Sequence, residues 1–386
     1  MKRIWLLLVL TVFLQSAVGA GREVHGRIFG EKTRVLLHQV DSLLLSRKFK
    51  GDTAYIARPN HPWLLMFSTS LRTTVADFHD RDQESPDYME RMLLHTPYEP
   101  SVGLKVSYRG LGVGLSLNPR KLFDKYAATE FDFNFYQPRF GIDLTYQDLR
   151  LWDGRLSLTN KQDPGQNISH ALRKNGLQLN SVSANAYYVF NHRHFSYAAA
   201  FSHSMLQKRS AGSFLLAGGF YTGKIAADRD AMPYFEENED GVVQYRCTMG
   251  ELSPEELERM SYQQITFMRT RFLTFGAGYA YNFVLGRHRN WLLHVSAQPS
   301  YMIWKRIVMS IDIHDAETGI TENVDEYLKP AFPEFFAIGR LAASYSWKNY
   351  FLGAWTVVQT AKAGQDRQMS FQQSKFKARL LFGVRL

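Results

Sequence analysis

Most of the chain alternates between apolar and polar positions with the period of two that is typical of β-strands. Phe131, Phe133 and Phe135 share one face of such a stretch, and Glu130 and Asp132 share the other. Strands with this pattern bury one face and leave the second face in a polar environment. The pattern predicts strands in 63–72, 102–108, 111–118, 130–136, 140–147, 177–190, 194–206, 213–222, 267–284, 290–304, 334–347, 349–360 and 375–386.

Three features favour a barrel in a bilayer over a soluble β-sandwich. Many of the predicted strands have about ten residues or more, which is what a tilted strand needs to cross a bilayer. Tyr and Trp gather near the ends of the strands, where an aromatic girdle meets the lipid interface. Short links such as 137–139 and 347–349 contrast with long ones such as 223–265. The sequence therefore predicts an all-β fold, a transmembrane antiparallel β-barrel.

The number of strands is harder to predict than the fold, because thirteen segments alternate and a single-chain bacterial barrel has an even number of strands. If 194–222 contains one crossing fewer, the barrel has 12 strands. If 305–313 is a crossing of its own, the barrel has 14 strands. We favour 12.

The closing strand carries the sharpest local signal. Phe376, Leu380, Phe382 and Leu386 fall on one face of the last twelve residues, and basic residues share the other face. An apolar face that runs to the final residue is typical of the terminal strand that barrel-assembly machinery recognises. We therefore expect outer-membrane lipid and that machinery as partners.

The N-terminus predicts export to the outer membrane. Residues 1–20 combine a basic start, an apolar core of about 11 residues and a small-residue cleavage site, as in a signal peptide. Residues 31–48 have the periodicity of an amphipathic helix. We therefore expect a signal peptide at 1–20, a periplasmic helical segment at 21–60 and the barrel at 61–386. A second short helix is predicted at 253–256, with Ser253 as its N-cap.

Composition narrows the possible functions. The chain has 386 residues, 45% of them hydrophobic, and a single cysteine, which excludes a disulfide scaffold and a multi-cysteine zinc site. Removal of Lys2 and Arg3 with the signal peptide takes the formal net charge from +10 to +8, so the mature chain remains basic. Nucleic acid does not explain this charge in an exported protein.

Two short blocks resemble a known family. One is DTAYI at 52–56, followed by the strand that begins at Trp63, and the other is YEPS at 98–101, which leads into alternating residues to Gly112. They resemble the Bacteroidota family catalogued as domain of unknown function 4421, outer-membrane barrels without an assigned activity. The resemblance extends from about Arg34 to Leu386. It implies a location and a fold, and it assigns no catalytic residue.

Charged residues on the inferred inner face suggest a function. The basic ones are Lys105, Arg269, Arg271, Arg340, Lys377 and Arg379, and the acidic ones are Glu130, Asp132 and Asp143. These residues either pair across the lumen and fill it, or line an anion-favouring pore, since basic groups in a narrow pore set ion selectivity. The sequence favours a narrow channel, or a binding and transport barrel, for a small anionic solute.

An enzymatic alternative rests on His294 and Ser296. Residues at i and i+2 of a strand share a face, so a His-x-Ser pair can form a base and a nucleophile, as in outer-membrane lipid hydrolases. Here both face the lumen, and Ala297-Gln298-Pro299 follows where a supporting Asn would be expected. We therefore favour a barrel without enzymatic activity. A structural barrel that displays surface loops also stays open.

No cofactor or metal is expected from the sequence. His192 and His194 lie two residues apart in an inferred turn, but two ligands without a nearby cysteine or carboxylate are weak evidence for a metal site. An acidic run at 236–240 lacks the alternating ligands and glycine of a calcium loop.

Overall fold

The protein is described here by a computed structural model. It describes residues 51–61, 63–81, 88–96, 98–108, 111–119, 129–149, 153–160, 168–172, 177–227, 234–237, 243–246, 253, 255, 258–259, 261–328, 334–365 and 369–386. The predicted signal peptide (1–20) and the predicted helix (31–48) lie outside the described residues, as do Pro254 and Glu256 of the helix predicted at 253–256. None of the helices in the described part of the chain combines the length and hydropathy needed to span a bilayer.

Strands make up almost all of the described secondary structure. The first are β1 (Ile56–Ala57), β2 (Trp63–Arg81), β3 (Tyr88–His95), β4 (Glu99–Tyr108), β5 (Leu111–Leu117), β6 (Thr129–Tyr136), β7 (Phe140–Leu149), β8 (Asp153–Asn160), β9 (Ile168–Leu172) and β10 (Leu177–Val189). Then come helix α1 (Tyr197–Phe201), β11 (Leu206–Gln207), β12 (Ala211–Ala227), β13 (Tyr234–Glu237), β14 (Val243–Arg246), β15 (Tyr262–Leu285), β16 (Trp291–Asp315), β17 (Ile320–Leu328), β18 (Phe335–Trp347), β19 (Tyr350–Gln365) and β20 (Met369–Arg385).

Twelve of the described strands form a closed antiparallel ring. Their order around the ring is β2, β4, β5, β6, β7, β10, β12, β15, β16, β18, β19 and β20. β20 returns to β2, and the amides of Trp63 and Leu386 donate hydrogen bonds to each other's carbonyls, with lengths of 3.2 and 2.9 Å. Closure leaves no unpaired edge along the ring. The structure therefore has the favoured 12 strands and not 14.

The two faces of the ring differ in polarity. Along β16, His294, Ser296 and Gln298 point inward and are buried, whereas Trp291 and Val295 point outward and are 49% and 41% exposed. The same outward exposure of large apolar side chains recurs around the ring, as in a barrel that meets lipid. The predicted fold class, an all-β transmembrane antiparallel barrel, is confirmed.

The two ends of the barrel also differ. The tight turns at 137–139, 286–290 and 348–349 lie at one end with Trp63 and Leu386, and we call this the short-turn end. At the opposite, long-loop end, ring strands extend beyond the ring and pair with β3, β13 and β17. Three further described strands, β8, β9 and β14, pair in turn with β3, β8 and β13.

A β-bulge reverses the faces of β16 near its middle. Leu273 pairs with Trp304 and Thr274 pairs with Met302, so Ile303 is an extra residue on β16. Directly beyond the bulge the buried positions are odd-numbered, at Ile307 and Met309, and farther along the strand Ser310 and His314 are buried. β16 continues through residues 305–313, so the crossing that the 14-strand alternative required does not exist.

The link between β10 and β12 enters the lumen at the short-turn end. It contains α1 and β11, and β11 pairs with β1, so residues 51–61 and 190–210 form one unit that we call the plug. The strand predicted at 194–206 is therefore wrong, and 194–222 contains one crossing fewer, as the 12-strand alternative required. Residues 195–203 are all buried, and a segment covered on every side has no lipid-facing row that would require a strand.

The lumen is layered along its axis. On β10, Val189 and Tyr187 belong to the apolar cluster around the plug, Ser183 lines a cavity, and Leu179 and Leu177 belong to a second apolar cluster nearer the long-loop end. A polar cavity therefore lies between two apolar layers in the described part of the barrel.

Candidate functional site

Arg340 on β18 joins the barrel wall to the plug. Its Nη1 donates hydrogen bonds to the Tyr197 hydroxyl at 2.6 Å and to Gln298 Oε1 at 3.0 Å. Its Nη2 donates to Asp143 Oδ2 at 3.3 Å, and the other oxygen of Asp143 accepts from the Tyr136 hydroxyl. Arg340 is buried, and these hydrogen-bond partners of its guanidinium lie inside the lumen.

The network continues from the plug to β16 and β15. The hydroxyl oxygens of Tyr197 and Ser296 are 3.1 Å apart, and His294 Nε2 lies 3.1 Å from Ser296 Oγ. His294 Nδ1 lies 2.7 Å from Asn282 Oδ1. A nucleophile-type hydroxyl, an imidazole and an amide oxygen thus follow one another within hydrogen-bond distance, although all three side chains are buried.

The plug fixes the direction of these hydrogen bonds. Asn282 Nδ2 donates to the Ser196 carbonyl at 2.9 Å and to Gln207 Oε1 at 3.1 Å, which turns Asn282 Oδ1 toward His294. Because that oxygen can only accept, His294 carries its proton on Nδ1 and accepts from Ser296 at Nε2. Ser296 then accepts from Tyr197, and Tyr197 accepts from Arg340. Every member of the chain has a partner with the correct donor or acceptor role.

Apolar packing contributes more to holding the plug than this network does. The rings of Phe195, Tyr197 and Phe201 lie 6.2, 5.0 and 4.9 Å from the His294 ring, and Ile56 and Met205 are buried in the same cluster. Full burial contributes about 1.5–3 kcal/mol for each large apolar side chain, against about 0.5–1.5 kcal/mol net for a hydrogen bond. The network therefore sets the position of the plug, and apolar burial retains it.

Above the plug lies a cavity of about 140 Å³. A smaller cavity of about 50 Å³ shares several of its wall residues, including Arg340 and Lys375. Phe201 of the plug and Tyr136 line the cavity, and β2, β7, β19 and β20 supply much of its wall. The space is sufficient for a small polar solute and too small for a polymer.

The charged lining of the cavity is predominantly basic. Among the described side chains that line it, the Arg and Lys residues are Arg72, Lys105, Arg340, Lys375, Lys377 and Arg379, and the carboxylate is Asp143. Glu130 pairs with Gln147 and Asp132 pairs with Thr145 in the backbone register of β6 and β7, and the inward position of the two acids stays a prediction. Among the described lining side chains, six cations face one carboxylate.

Aromatic rings support several of these cations. The guanidinium carbon of Arg379 lies 4.9 Å and Lys377 Nζ lies 6.0 Å from the Trp355 ring centroid. Lys375 Nζ lies 4.8 Å from the ring of Tyr221. Such contacts stabilise a cation without neutralising its charge.

The structure corrects two of the predicted lumen residues. Lys105, Arg340, Lys377, Arg379 and Asp143 surround the cavity. Arg269 and Arg271, in contrast, lie on the outer face of β15, because their neighbours Thr270 and Phe272 are the buried ones. Arg271 lies fourteen residues from the end of β15 at Leu285. That is beyond the 9–11 residues that cross a bilayer, so the outer face there meets water and carries polar residues.

The predicted histidine pair is divided between two partners. His192 Nε2 accepts from Arg139 Nε at 3.2 Å, whereas His194 Nε2 lies 3.4 Å from Asp52 Oδ2. Both histidines belong to the plug and its rim.

Several residues of the site escaped the sequence analysis. Arg72 and Lys375 continue the inner rows of β2 and β20, and the alternation could have identified them. Asn282 lies directly opposite His294 in the strand register, but pairing between strands is not visible in one sequence. Tyr197 gave no signal, because its segment was assigned to a strand.

One titratable group inside the plug has a strongly shifted pKa. Burial lowers the pKa of His203 to about 3, and the charges of Arg385 and Lys105 contribute in the same direction. The His203 ring stacks on Phe351 with the centroids 4.2 Å apart. The plug therefore contains a neutral imidazole at ordinary pH.

The chain belongs to a family that is described as a domain of unknown function. The family model described as "Domain of unknown function (DUF4421)" matches residues 50–386, and this confirms the resemblance of the two sequence blocks. No curated protein matches the sequence.

Three solved structures match most of this chain at sequence identities of 10% or less. The outer membrane protease OmpT from Escherichia coli is 9% identical, with a TM-score of 0.47 over 85% of this chain and 97% of that one. The translocator domain of the autotransporter NalP from Neisseria meningitidis is 10% identical, with a TM-score of 0.27 over 94% and 100%. The P. putida toluene transporter TodX is 8% identical, with a TM-score of 0.25 over 85% and 91%.

Proposed function

We propose that this protein is an outer-membrane barrel that binds a small anionic solute inside its lumen. The observation that carries the proposal is the cavity of about 140 Å³, whose described lining has six Arg or Lys side chains and one carboxylate. A charged solute enters a low-dielectric space at a high desolvation cost, so a site of this kind must supply opposite charge. Here the fold holds the cations in place before the solute binds, so the opposite charge is already present.

The outer-membrane location is part of the proposal. The outward apolar side chains, the alternating strands and the signal-like residues 1–20 support it. In the outer membrane, the short-turn end would face the periplasm and the long-loop end would face the exterior, as in other bacterial barrels.

Binding is favoured over steady conduction because packed side chains lie on both sides of the cavity. The plug cluster bounds it toward the short-turn end, and the cluster that contains Leu179 and Met268 bounds it toward the long-loop end. A solute that crosses the barrel therefore requires one of these layers to move, and transport in this barrel is gated.

The test is calorimetric titration of the purified barrel with inorganic phosphate, sulfate and acetate, at low ionic strength. We expect binding that weakens as salt is added, because the contacts are charged. Lys377→Gln together with Arg379→Gln should weaken it at least tenfold, since a hydrogen bond to a charged group is worth about 1.5–3 kcal/mol.

The matched control is Arg269→Gln together with Arg271→Gln. It removes the same charge from the outer face of β15, so it should leave anion affinity within twofold of the original. Equal losses in the two double variants, or no binding of any of the three anions, would contradict the proposal. A steady anion-selective current in planar bilayers would indicate an open channel in place of an occluded site.

A second candidate function is hydrolysis of an acyl ester, and one observation favours it. Asn282 adds the third member to His294 and Ser296, with contacts of 2.7 and 3.1 Å and with the proton positions that a base and a nucleophile need. Against it stands the Tyr197 hydroxyl, which occupies Ser296 Oγ in the plugged state.

A fluorophosphonate probe separates the two candidates, because it labels only activated serines. The anion-binding proposal expects no labelling at Ser296, in the native barrel or after Tyr197→Ala. Labelling that disappears in Ser296→Ala and persists in Ser300→Ala, a serine of the same inner row, would favour the hydrolase.

A further inference from the structure

Arg340 belongs to the cavity and to the attachment of the plug at the same time. It lines the cavity, while its Nη1 and Nη2 donate to Tyr197 of α1 and to Asp143 of the wall. The 2.6 Å hydrogen bond to Tyr197 joins a cavity-lining cation directly to a plug side chain. Whatever binds this guanidinium therefore acts on the plug as well.

A guanidinium recognises an oxyanion best when two of its nitrogens donate side by side. In the plugged state, Nη1 and Nη2 already donate to Tyr197 and Asp143. A carboxylate, phosphate or sulfate that takes this edge must compete with both of them, and its charge opposes that of Asp143. Asp143 keeps its hydrogen bond from Tyr136 when this happens. Tyr197 of the plug and Gln298 of the wall both lose the charged donor Nη1.

We propose that an oxyanion bound at Arg340 loosens α1 and thereby opens the plug from the cavity side. This inference rests on the proposed anion site and names the regulation of that site. Solute in the cavity weakens the layer that separates it from the short-turn end, so occupancy and gating are coupled.

The movement is confined to α1. The remainder of the plug keeps anchors that Arg340 does not touch: Asn282 still donates to Gln207 and to Ser196, and β1 still pairs with β11. Apolar burial of Phe195 and Ile56 also outweighs the loss of one hydrogen bond, as described above. The plug therefore shifts locally and stays inside the barrel.

Hydrogen exchange of the purified barrel, with and without saturating inorganic phosphate, tests this coupling. The amides of Ala199 and Ser202, which donate within α1, should exchange at least fivefold faster with phosphate, the lower limit of typical coupling. The amide of Lys208, which donates to Tyr55 across the β1 and β11 region, and the amide of Ile56, which donates to Asp52 before β1, should keep their rates.

Tyr197→Phe is the diagnostic variant, because it removes the hydroxyl and keeps the ring in the cluster. We expect it to bind phosphate with unchanged or higher affinity. Its α1 amides should exchange faster without phosphate, and phosphate should add nothing. Arg340→Lys keeps the charge but not the paired donors, so phosphate should no longer accelerate exchange in α1.

The outcomes distinguish the two proposals. If calorimetry detects no anion binding to the native barrel, the proposed function fails and the coupling fails with it. If phosphate binds but α1 exchange stays unchanged, or slows, the coupling alone is wrong. Acceleration that spreads equally to Ile56 and Lys208 would also overturn it, because that result means general unfolding of the plug.

Discussion

Two apolar side chains with almost the same exposure provide a direct test of which surface meets lipid. Leu380 on the outer face of β20 is 60% exposed, and Ile320 at the start of β17 is 62% exposed. Leu380 lies five residues from the end of β20 at the short-turn end, which puts it near the middle of an apolar band about 25 Å tall. Ile320 lies on a strand outside the ring.

Arginine at each position should therefore have unequal effects. In water the two substitutions are equivalent, because surface changes usually stay within about 0.5 kcal/mol. In lipid, Leu380→Arg should cost about 2–4 kcal/mol and Ile320→Arg about zero. Urea unfolding from phospholipid vesicles measures the free energy, and heat-dependent gel migration reports the folded fraction. Equal stability of the two variants would refute the membrane-facing assignment of the ring.

Three further outcomes follow from the packing of the described residues. Gly383→Ala should lower the free energy of unfolding by about 1–3 kcal/mol, because the new Cβ meets the Phe351 ring, whereas Gly339→Ala, with nothing within 4 Å, should be neutral in the same urea titration. His203 is neutral when buried, so acidification below its ordinary pKa of 6.5 should destabilise the barrel by up to about 1.4 kcal/mol per pH unit until its folded pKa of about 3 is reached. His203→Asn, which tolerates the φ of 53°, should reduce that dependence, and an unchanged pH slope would contradict it. Asn282→Leu should release the link that carries α1, seen as faster amide exchange there, because it leaves buried groups unpaired at about 1–3 kcal/mol each.

The sequence predicted the ring well because each strand meets two different environments. Lipid on one side and a polar lumen on the other enforce alternation, as in β16 up to the bulge, so strand positions and faces can be read directly. Alternation no longer predicts the structure where this condition ends. Residues 195–203 are buried on every side, and their Tyr-Ala-Ala-Ala-Phe core forms α1, for which no alternating pattern exists in the sequence.

The inner face was predicted with less success where strands leave the bilayer. Arg269 and Arg271 are polar residues on an alternating strand, and the rule that polar positions face the lumen assigned them inward. Past the lipid band, water covers the outside and apolar residues such as Met268 fill the inside, so the rule reverses. The number of residues along a strand from the short-turn end indicates where the strand leaves the lipid band, and beyond that point polar residues face outward.

The plug explains why the same residues suggest both an enzyme and a structural anchor. An eight-stranded barrel is filled by its own side chains, and barrels of 16–18 strands leave an aqueous channel, so twelve strands leave a space that needs an inserted segment. An inserted segment must be held by directional contacts, and buried polar groups must find partners. An imidazole between a hydroxyl and an amide satisfies both requirements, whether or not any substrate is attacked. Tyr197 distinguishes the two roles of Ser296. As an anchor of the plug, Ser296 must hold the Tyr197 hydroxyl, whereas as a nucleophile Ser296 must be free of that hydroxyl. Conditions that move α1 are therefore the ones under which Ser296 should be tested for reactivity.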